Sequence, residues 1–312
     1  MSKKSSYLLG ILLTIVIGAF LYWKFCCSAC HKQNKHIEEN TKNKVVAVPD
    51  EKKAALNSFS VNDANGNLAF TIDDNFRFNK SNFAILDSVS SGVNDGVLKI
   101  KDYLNANSQK TVDITGYYTN EETNNSAFPN LGLARANSVK NYFVSKDVPA
   151  KAINTFGKLN DEIVADENGI FNGPLAFNIV THNSSDDSAA DNALKSACAA
   201  LKENPIVLYF KPAHSSITLT SEQRKKLAII SQCVDKLGSK IQVIGHTDDT
   251  ASKESNMRLG KKRAEFVKNY LVKNGILSEN IETSSKGESS PIADNSTQEG
   301  RAKNRRTVIT IN

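Results

Sequence analysis

The feature that most limits what this chain can fold into is an internal repeat. Residues 111–158 and 240–287 run in parallel. Each opens with a short β-branched stretch ending in glycine (Gly116, Gly245), then a polar loop. Each continues as Leu-Gly-x-x-Arg-Ala-x-x-Val-Lys-Asn-Tyr before a stop and a second β-branched stretch. Asn120 and Arg135 stand 15 residues apart, as do Asp248 and Arg263. Strand, helix and strand signals repeated in fixed order imply one small fold carried twice.

The second copy is the easier to read. Pro205–Phe210 is strand-like. Thr220 with Gln223 has the capping-box spacing, and Leu227, Ile230, Val234 and Leu237 follow as one helical stripe. Ile241–Ile244 reads as a strand. A second helix covers about Asn256–Asn274, with Ala264, Val267 and Leu271 on one face and Gly275 as its C-cap. Asn280–Ser284 and Thr307–Ile311 complete the set. The order β-α-β-α-β-β predicts an α+β sandwich with helices on one face of a small sheet, present twice in tandem.

The N-terminus sets the compartment. Tyr7–Trp23 carries no charge, and 17 to 20 helical residues span a hydrocarbon core of about 30 Å. Tyr22 and Trp23 suit a membrane interface. Bulky residues stand where a signal peptide would be cut, and Cys30 lies too far beyond the run to match a lipoprotein site well. An uncleaved anchor over residues 1–25 is the expectation, with cleavage and lipidation as the alternatives. Residues 26–62, rich in Lys, Asn and Glu towards their start, read as a flexible tether, and the small polar stretch within 182–196 as a linker. This leaves 63–181 and 197–312 as the two folded copies. Residues 192–312 hold 20 Lys and Arg against 12 Asp and Glu, whereas the remainder is slightly acidic. A basic C-terminal part suits an anionic partner or simply a solvated face.

The motifs of the second copy carry a family resemblance. Gly245-His246-Thr247-Asp248, Asn256, Leu259 and Arg263-Ala264 come first. Gly287, Pro291, Asn295, Thr297, Gly300-Arg301 and Asn304-Arg305-Arg306 follow in order. This set resembles the OmpA-like domain of OmpA, Pal and MotB proteins. The resemblance implies non-covalent binding of peptidoglycan through the zwitterionic end of its diaminopimelate side chain. Asp248 is then expected to accept from the ammonium and Arg263 to grip the carboxylate, a role that suits the planar guanidinium fork and not lysine. Thr247 and Asn256 are expected to add neutral hydrogen bonds, and Arg305 and Arg306 positive charge. His246 reads as structural. The resemblance also implies a disulfide between Cys198 and Cys233, with two buried thiols as the alternative. Ala251, Gly260 and Ser285 depart from the family pattern, and all three are expected to lie in loops.

The first copy keeps the arginine, Arg135, but has Asn120 at the acid's spacing and no Asn-Arg-Arg before its last strand, Ala176–Val180. A neutral amide cannot match an ammonium as a carboxylate does, so residues 63–181 read as a divergent copy with a mainly structural role. No nucleophile or metal-ligand motif accompanies His246, so an enzyme is not expected, nor a cofactor. Cys27, Cys30 and His31 lack a second ligand pair, so no metal is expected. The apolar segment has no acidic residue, which excludes a proton-conducting stator. A membrane-anchored chain is also not expected to bind nucleic acid. The function implied is a cell-envelope protein, its OmpA-like domains in the periplasm, tying a membrane to peptidoglycan. The alternative is an envelope scaffold whose domains bind a protein partner.

Overall fold

Both halves of the repeat build the same strand–helix–strand unit, and its strand order brings the motif residues to one end of each sheet. The computed structural model describes residues 57–86, 88–182, 184–210 and 217–312. The first copy comprises β1 (Phe59–Asn62), β2 (Ala69–Ile72), β3 (Arg77–Asn79), α1 (Ser91–Ala106), β4 (Lys110–Tyr118), α2 (Leu131–Ser145), β5 (Ile153–Leu159), β6 (Ile170–Asn172) and β7 (Leu175–Thr181). The second comprises α3 (Ser184–Glu203), β8 (Ile206–Tyr209), α4 (Ser221–Leu237), β9 (Ile241–His246), α5 (Lys253–Lys273), β10 (Ile281–Gly287), α6 (Gln298–Asn304) and β11 (Arg306–Ile311).

In the second copy the sheet order is β10-β9-β11-β8. The β9–β10 pair is parallel because α5 crosses between them, while β11 runs antiparallel to both its neighbours. The first copy repeats the core of this arrangement as β5-β4-β7, with β4 and β5 parallel and β7 antiparallel. The expected β-α-β-α-β-β order is present in the second copy, with α6 inserted before the last strand and α3 added in front.

Helix ends follow local chemistry. Thr220 accepts from Gln223 N while the Gln223 side chain accepts from Thr220 N, so the capping box closes α4, and Gly238 ends it at φ 69°. Leu227, Ile230 and Val234 are buried as the stripe requires, whereas Leu237 at the helix end is exposed. In α5, Asn256, Gly260, Ala264, Val267 and Leu271 form one buried stripe. A polar residue and a glycine stand at its start.

Three expectations about organisation are corrected or fall outside the structure. The tether does not reach residue 62: Phe59 and Val61 alternate with exposed residues in β1 and are buried, an inside–outside pattern hidden in a polar stretch. The linker over 182–196 is helical from Ser184, because alanines at 189, 190, 193 and 197 favour a helix. Leu194, Cys198 and Leu201 of that helix pack onto the second core. Tyr7–Trp23, Cys26, Cys27, Cys30 and His31 lie outside the described residues. Among the described residues no helix is long and apolar enough to cross a membrane.

Cys198 and Cys233 form a disulfide that joins α3 to α4, with Cα atoms 6.0 Å apart. The two copies also share packing. Ala127, Phe128 and Ala134 of the first belong to the second copy's hydrophobic cluster. Asn274 Oδ1 accepts from Ala127 N at 2.6 Å, and Lys140 pairs with Asp235 at 2.5 Å across the same junction.

Candidate ligand-binding site

The site is built where β9 ends and α5 passes close above it. A Cβ on Gly245 would lie 1.8 Å from the Gly260 carbonyl oxygen, so only glycine lets helix and strand approach this closely. Gly260 also makes room for Ser285, whose Oγ would stand 2.2 Å from a Cβ there. The departures at 260 and 285 therefore compensate one another. This close approach lets Arg263 Nη1 donate to the His246 carbonyl at 2.9 Å.

Asp248 follows two residues after the strand and is buried. Its Oδ1 accepts from Thr250 Oγ1 at 2.8 Å and its Oδ2 from Arg305 Nη1 at 2.8 Å. Burial pushes the Asp248 carboxyl up, but the bonds from Arg305 and Thr250 outweigh it and hold the group below the usual aspartate value. Burial lowers the Arg263 guanidinium, the Asp248 charge opposes that, and the Arg305 charge adds to it, so both neighbouring charges are felt at Arg263 through space. Thr247 Oγ1, Asn256 Oδ1 and Arg305 Nε are buried beside them with no protein partner. Such atoms are rare in folded proteins. Asn256 stands seven residues before Arg263 on α5 and so shares its face.

Arg305 therefore contacts Asp248 directly, a closer role than the added positive charge expected of it. Arg306 is placed elsewhere. It is buried, with Nη2 on the Ser290 carbonyl at 3.0 Å and Nη1 on the Asn304 carbonyl at 3.5 Å. Arg306 begins β11, whereas Arg305 is the C-cap of α6 at φ −73° and ψ 75°, so the two neighbours leave from different backbone geometries. The other C-terminal motif residues shape a loop. Asn304 accepts from Ile292 N and Ala293 N, Thr297 caps α6, and Arg301 holds the Asn295 carbonyl at 2.7 Å. Burial, with Arg306 and Lys286 nearby, pushes the His246 ring down to about 4, so it is neutral at pH 7. Among the described residues no cluster of His, Cys, Asp or Glu is arranged to hold a metal.

The first copy answers the same geometry differently. Arg135 Nη1 donates to the Tyr117 carbonyl at 2.9 Å, matching Arg263 on His246. Counted from Gly116, the acid's place then falls on Thr119, because the loop is one residue longer; counted back from the arginine it falls on Asn120. Neither supplies a carboxylate to Arg135, and Asn120 instead binds Asp161 through both its backbone and side-chain nitrogens. Glu122 does supply one. It takes Nη1 and Nη2 of Arg135 at 3.1 and 2.5 Å, while Asn82 O takes Nε at 3.0 Å. Both charged side chains are fully buried. Leu175 pairs with Gly116 as Thr307 pairs with Gly245, so Gly173 and Pro174 occupy the places of Arg305 and Arg306. The longer loop and its Glu121-Glu122 pair were the available sequence signals.

Comparison with known proteins identifies the family. The OmpA family model matches residues 76–170 and 209–305, well over half of the chain. The chain belongs to the OmpA family. Among relatives, the peptidoglycan-binding protein ArfA of Mycobacterium tuberculosis is 41% identical over 88 residues, 27% of each chain. The probable lipoprotein YiaD of Escherichia coli is 45% identical over 71 residues, 23% of this chain and 32% of that one. The peptidoglycan-associated lipoprotein of Pseudomonas putida is 33% identical over 101 residues, 32% of this chain and 60% of that one. The matched part is thus about a quarter to a third of the length of the first two of these relatives. Among solved structures, the peptidoglycan-associated lipoprotein of Burkholderia pseudomallei aligns at 27% identity and a TM-score of 0.28, over 34% of this chain and 89% of that one.

Proposed function

We propose that this chain is a cell-envelope protein that binds peptidoglycan non-covalently through its second OmpA-like copy, residues 197–312, and ties a membrane to the wall through its N-terminal apolar segment. In this reading the diaminopimelate side chain lies between Asp248 and Arg263. Its ammonium donates to Asp248, which still has lone pairs beyond those used by Thr250 and Arg305. Its carboxylate meets Arg263, whose charge-assisted bonds are the stronger kind. Arg305 keeps Asp248 ionised and adds attraction for the carboxylate, and Thr247 and Asn256 complete the set. Arg306 supports the loop that carries the site.

The observation that carries this reading is the convergence of Asp248, Arg263 and Arg305 beside buried, unpartnered Thr247 and Asn256 atoms. Relatives named for peptidoglycan binding or association support it. The first copy, with its arginine closed by Glu122, acts as a structural partner. The test is retention of the full chain by purified diaminopimelate-type peptidoglycan. Asp248→Ala and Arg263→Ala should each lower affinity about ten- to a hundred-fold, one or two charge-assisted hydrogen bonds. Retention of both variants equal to wild type would sink the proposed site.

A further inference from the structure

A second carboxylate stands at the edge of this site. Glu288 follows Gly287, whose carbonyl accepts from Thr247 N at 2.9 Å, so the loop after β10 is fastened to the residue before Asp248. From that loop Glu288 Oε2 accepts a hydrogen bond from Asn256 Nδ2. The same Nδ2 donates to the Ala251 carbonyl at 3.0 Å, in the loop that follows Asp248. Asn256 thus bridges the two loops that flank the strand end.

Those two partners fix which way the amide faces. A carboxylate and a backbone carbonyl only accept, so the atom between them must be the nitrogen. Its two hydrogens are both used. The other end of the amide, Oδ1, is buried and without a protein partner in a residue only 1% exposed. An amide free to turn could offer either a donor or an acceptor to a ligand. Held this way, Asn256 offers an acceptor only.

We propose that Glu288 is a positioning residue that sets the polarity of the ligand site, holding Asn256 with its oxygen towards the ligand to accept from an ammonium or amide N–H of the wall peptide. This rests on the peptidoglycan reading above. The sharing of work follows from the charges. Asp248 and Asn256 Oδ1 take N–H groups, while Arg263 and Arg305 take the carboxylate. Glu288 acts through Asn256 and does not itself touch the ligand. The first copy has no counterpart, because Lys158–Leu159 continues β5 where β10 ends.

The test uses the full chain and a soluble stem tripeptide ending in meso-diaminopimelate, titrated calorimetrically. Glu288→Ala and Asn256→Ala are each expected to weaken binding about five- to tenfold, the loss of one buried hydrogen bond. Glu288→Gln, whose amide oxygen still accepts, should remain within about twofold. The double variant Asn256→Ala with Glu288→Ala should bind like Asn256→Ala alone, because the two effects are one. A side-chain amide resonance of Asn256 shifted by its bond to Glu288 should be lost in Glu288→Ala and kept in Glu288→Gln, with or without peptide. Three results would overturn the assignment: Glu288→Ala binding like wild type, Glu288→Gln losing as much as Glu288→Ala, or additive losses in the double variant. If Asp248→Ala and Arg263→Ala also bind like wild type, the site itself is wrong and this assignment falls with it. If those two lose binding and Glu288→Ala does not, only the role of Glu288 is refuted.

Discussion

Glu122→Ala probes why the two copies differ. The substitution removes both oxygens from a guanidinium that is fully buried, and the backbone N–H groups of Ser81 and Thr119 lose the acceptor they reach at 2.9 and 3.1 Å. Arg135 keeps its carbonyl partners, Asn82, Tyr117 and Asn79, but no counter-charge. Leaving one charge of a buried pair alone costs about 3–5 kcal/mol, a large share of a typical stability of about 5–15 kcal/mol. Glu122→Gln retains one oxygen and the side-chain volume, and should cost about half as much. Replacing both residues, Glu122→Leu with Arg135→Met, removes the stranded charge and should recover much of the loss. It will not recover all of it, because three carbonyls then lose their donor. The assay is urea unfolding followed by circular dichroism, with peptidoglycan retention measured in parallel at a temperature where each variant is folded. A loss under about 1 kcal/mol for Glu122→Ala would refute the claim that this pair holds the first copy together. A large loss of wall retention by the folded variant would refute the structural role given to that copy.

Other outcomes follow from the second copy. Arg305→Ala should reduce wall retention with little change in melting temperature, whereas Arg306→Ala, which strips a buried donor from Ser290, should chiefly lower the melting temperature. The lowered Asp248 carboxyl contributes binding charge that is present above its ordinary value of 3.8 and lost only as pH falls through the lower folded value. Retention should therefore persist at pH 4 in wild type, and in Arg305→Ala its loss should move to higher pH. The His246 ring, held near 4 by burial with Arg306 and Lys286, titrates below its ordinary 6.5. Its contribution to stability is full above 6.5, declines as pH falls towards about 4 and then levels off. His246→Gln should flatten that part of the melting profile, and an unchanged slope would contradict the buried neutral ring. Reduction of Cys198–Cys233, which closes 35 residues, should lower stability by about 4 kcal/mol in the loop-entropy model, checked by unfolding with and without reductant.

What was legible in the sequence was whatever depended on local periodicity or on residue type at fixed spacing. Thr220 and Gln223 fixed the start of α4, and the stripe through Ala264, Val267 and Leu271 identified the buried face of α5. The repeat foretold two like sheets. Partner choice was less legible, because it depends on side-chain direction at the strand ends. Arg305 and Arg306 are adjacent in sequence, yet one reaches Asp248 and the other turns to Ser290, a difference set where the α6 C-cap meets the start of β11, which no motif states. The α3 helix was hidden by a polar stretch whose alanines outweighed its serines and aspartates. The shared core between copies was also hidden, because Ala127 and Phe128 sit in a loop without periodicity.

The two arginines show how far one residue type can carry a function. Arg135 and Arg263 stand at the same place on equivalent helices, and each donates to the carbonyl at the end of the preceding strand. That bond aims the guanidinium in both copies. What differs is the source of the opposing charge. In the first copy Glu122 meets Arg135 from within the chain, on a loop one residue longer, and all the donor groups have partners. In the second copy the nearby acid, Asp248, is bonded to Thr250 and Arg305, and Arg263 bonds the His246 carbonyl, which on the proposed reading leaves its other donors for a carboxylate from outside. On that reading the same backbone geometry closes on itself in one copy and receives a ligand in the other, according to whether an acid of the chain bonds the arginine. Arg305, by pairing with Asp248, then leaves Arg263 to the proposed ligand. Grafting a glutamate into the loop after Asp248, to meet Arg263 as Glu122 meets Arg135, should close the site and abolish wall retention while the fold is kept.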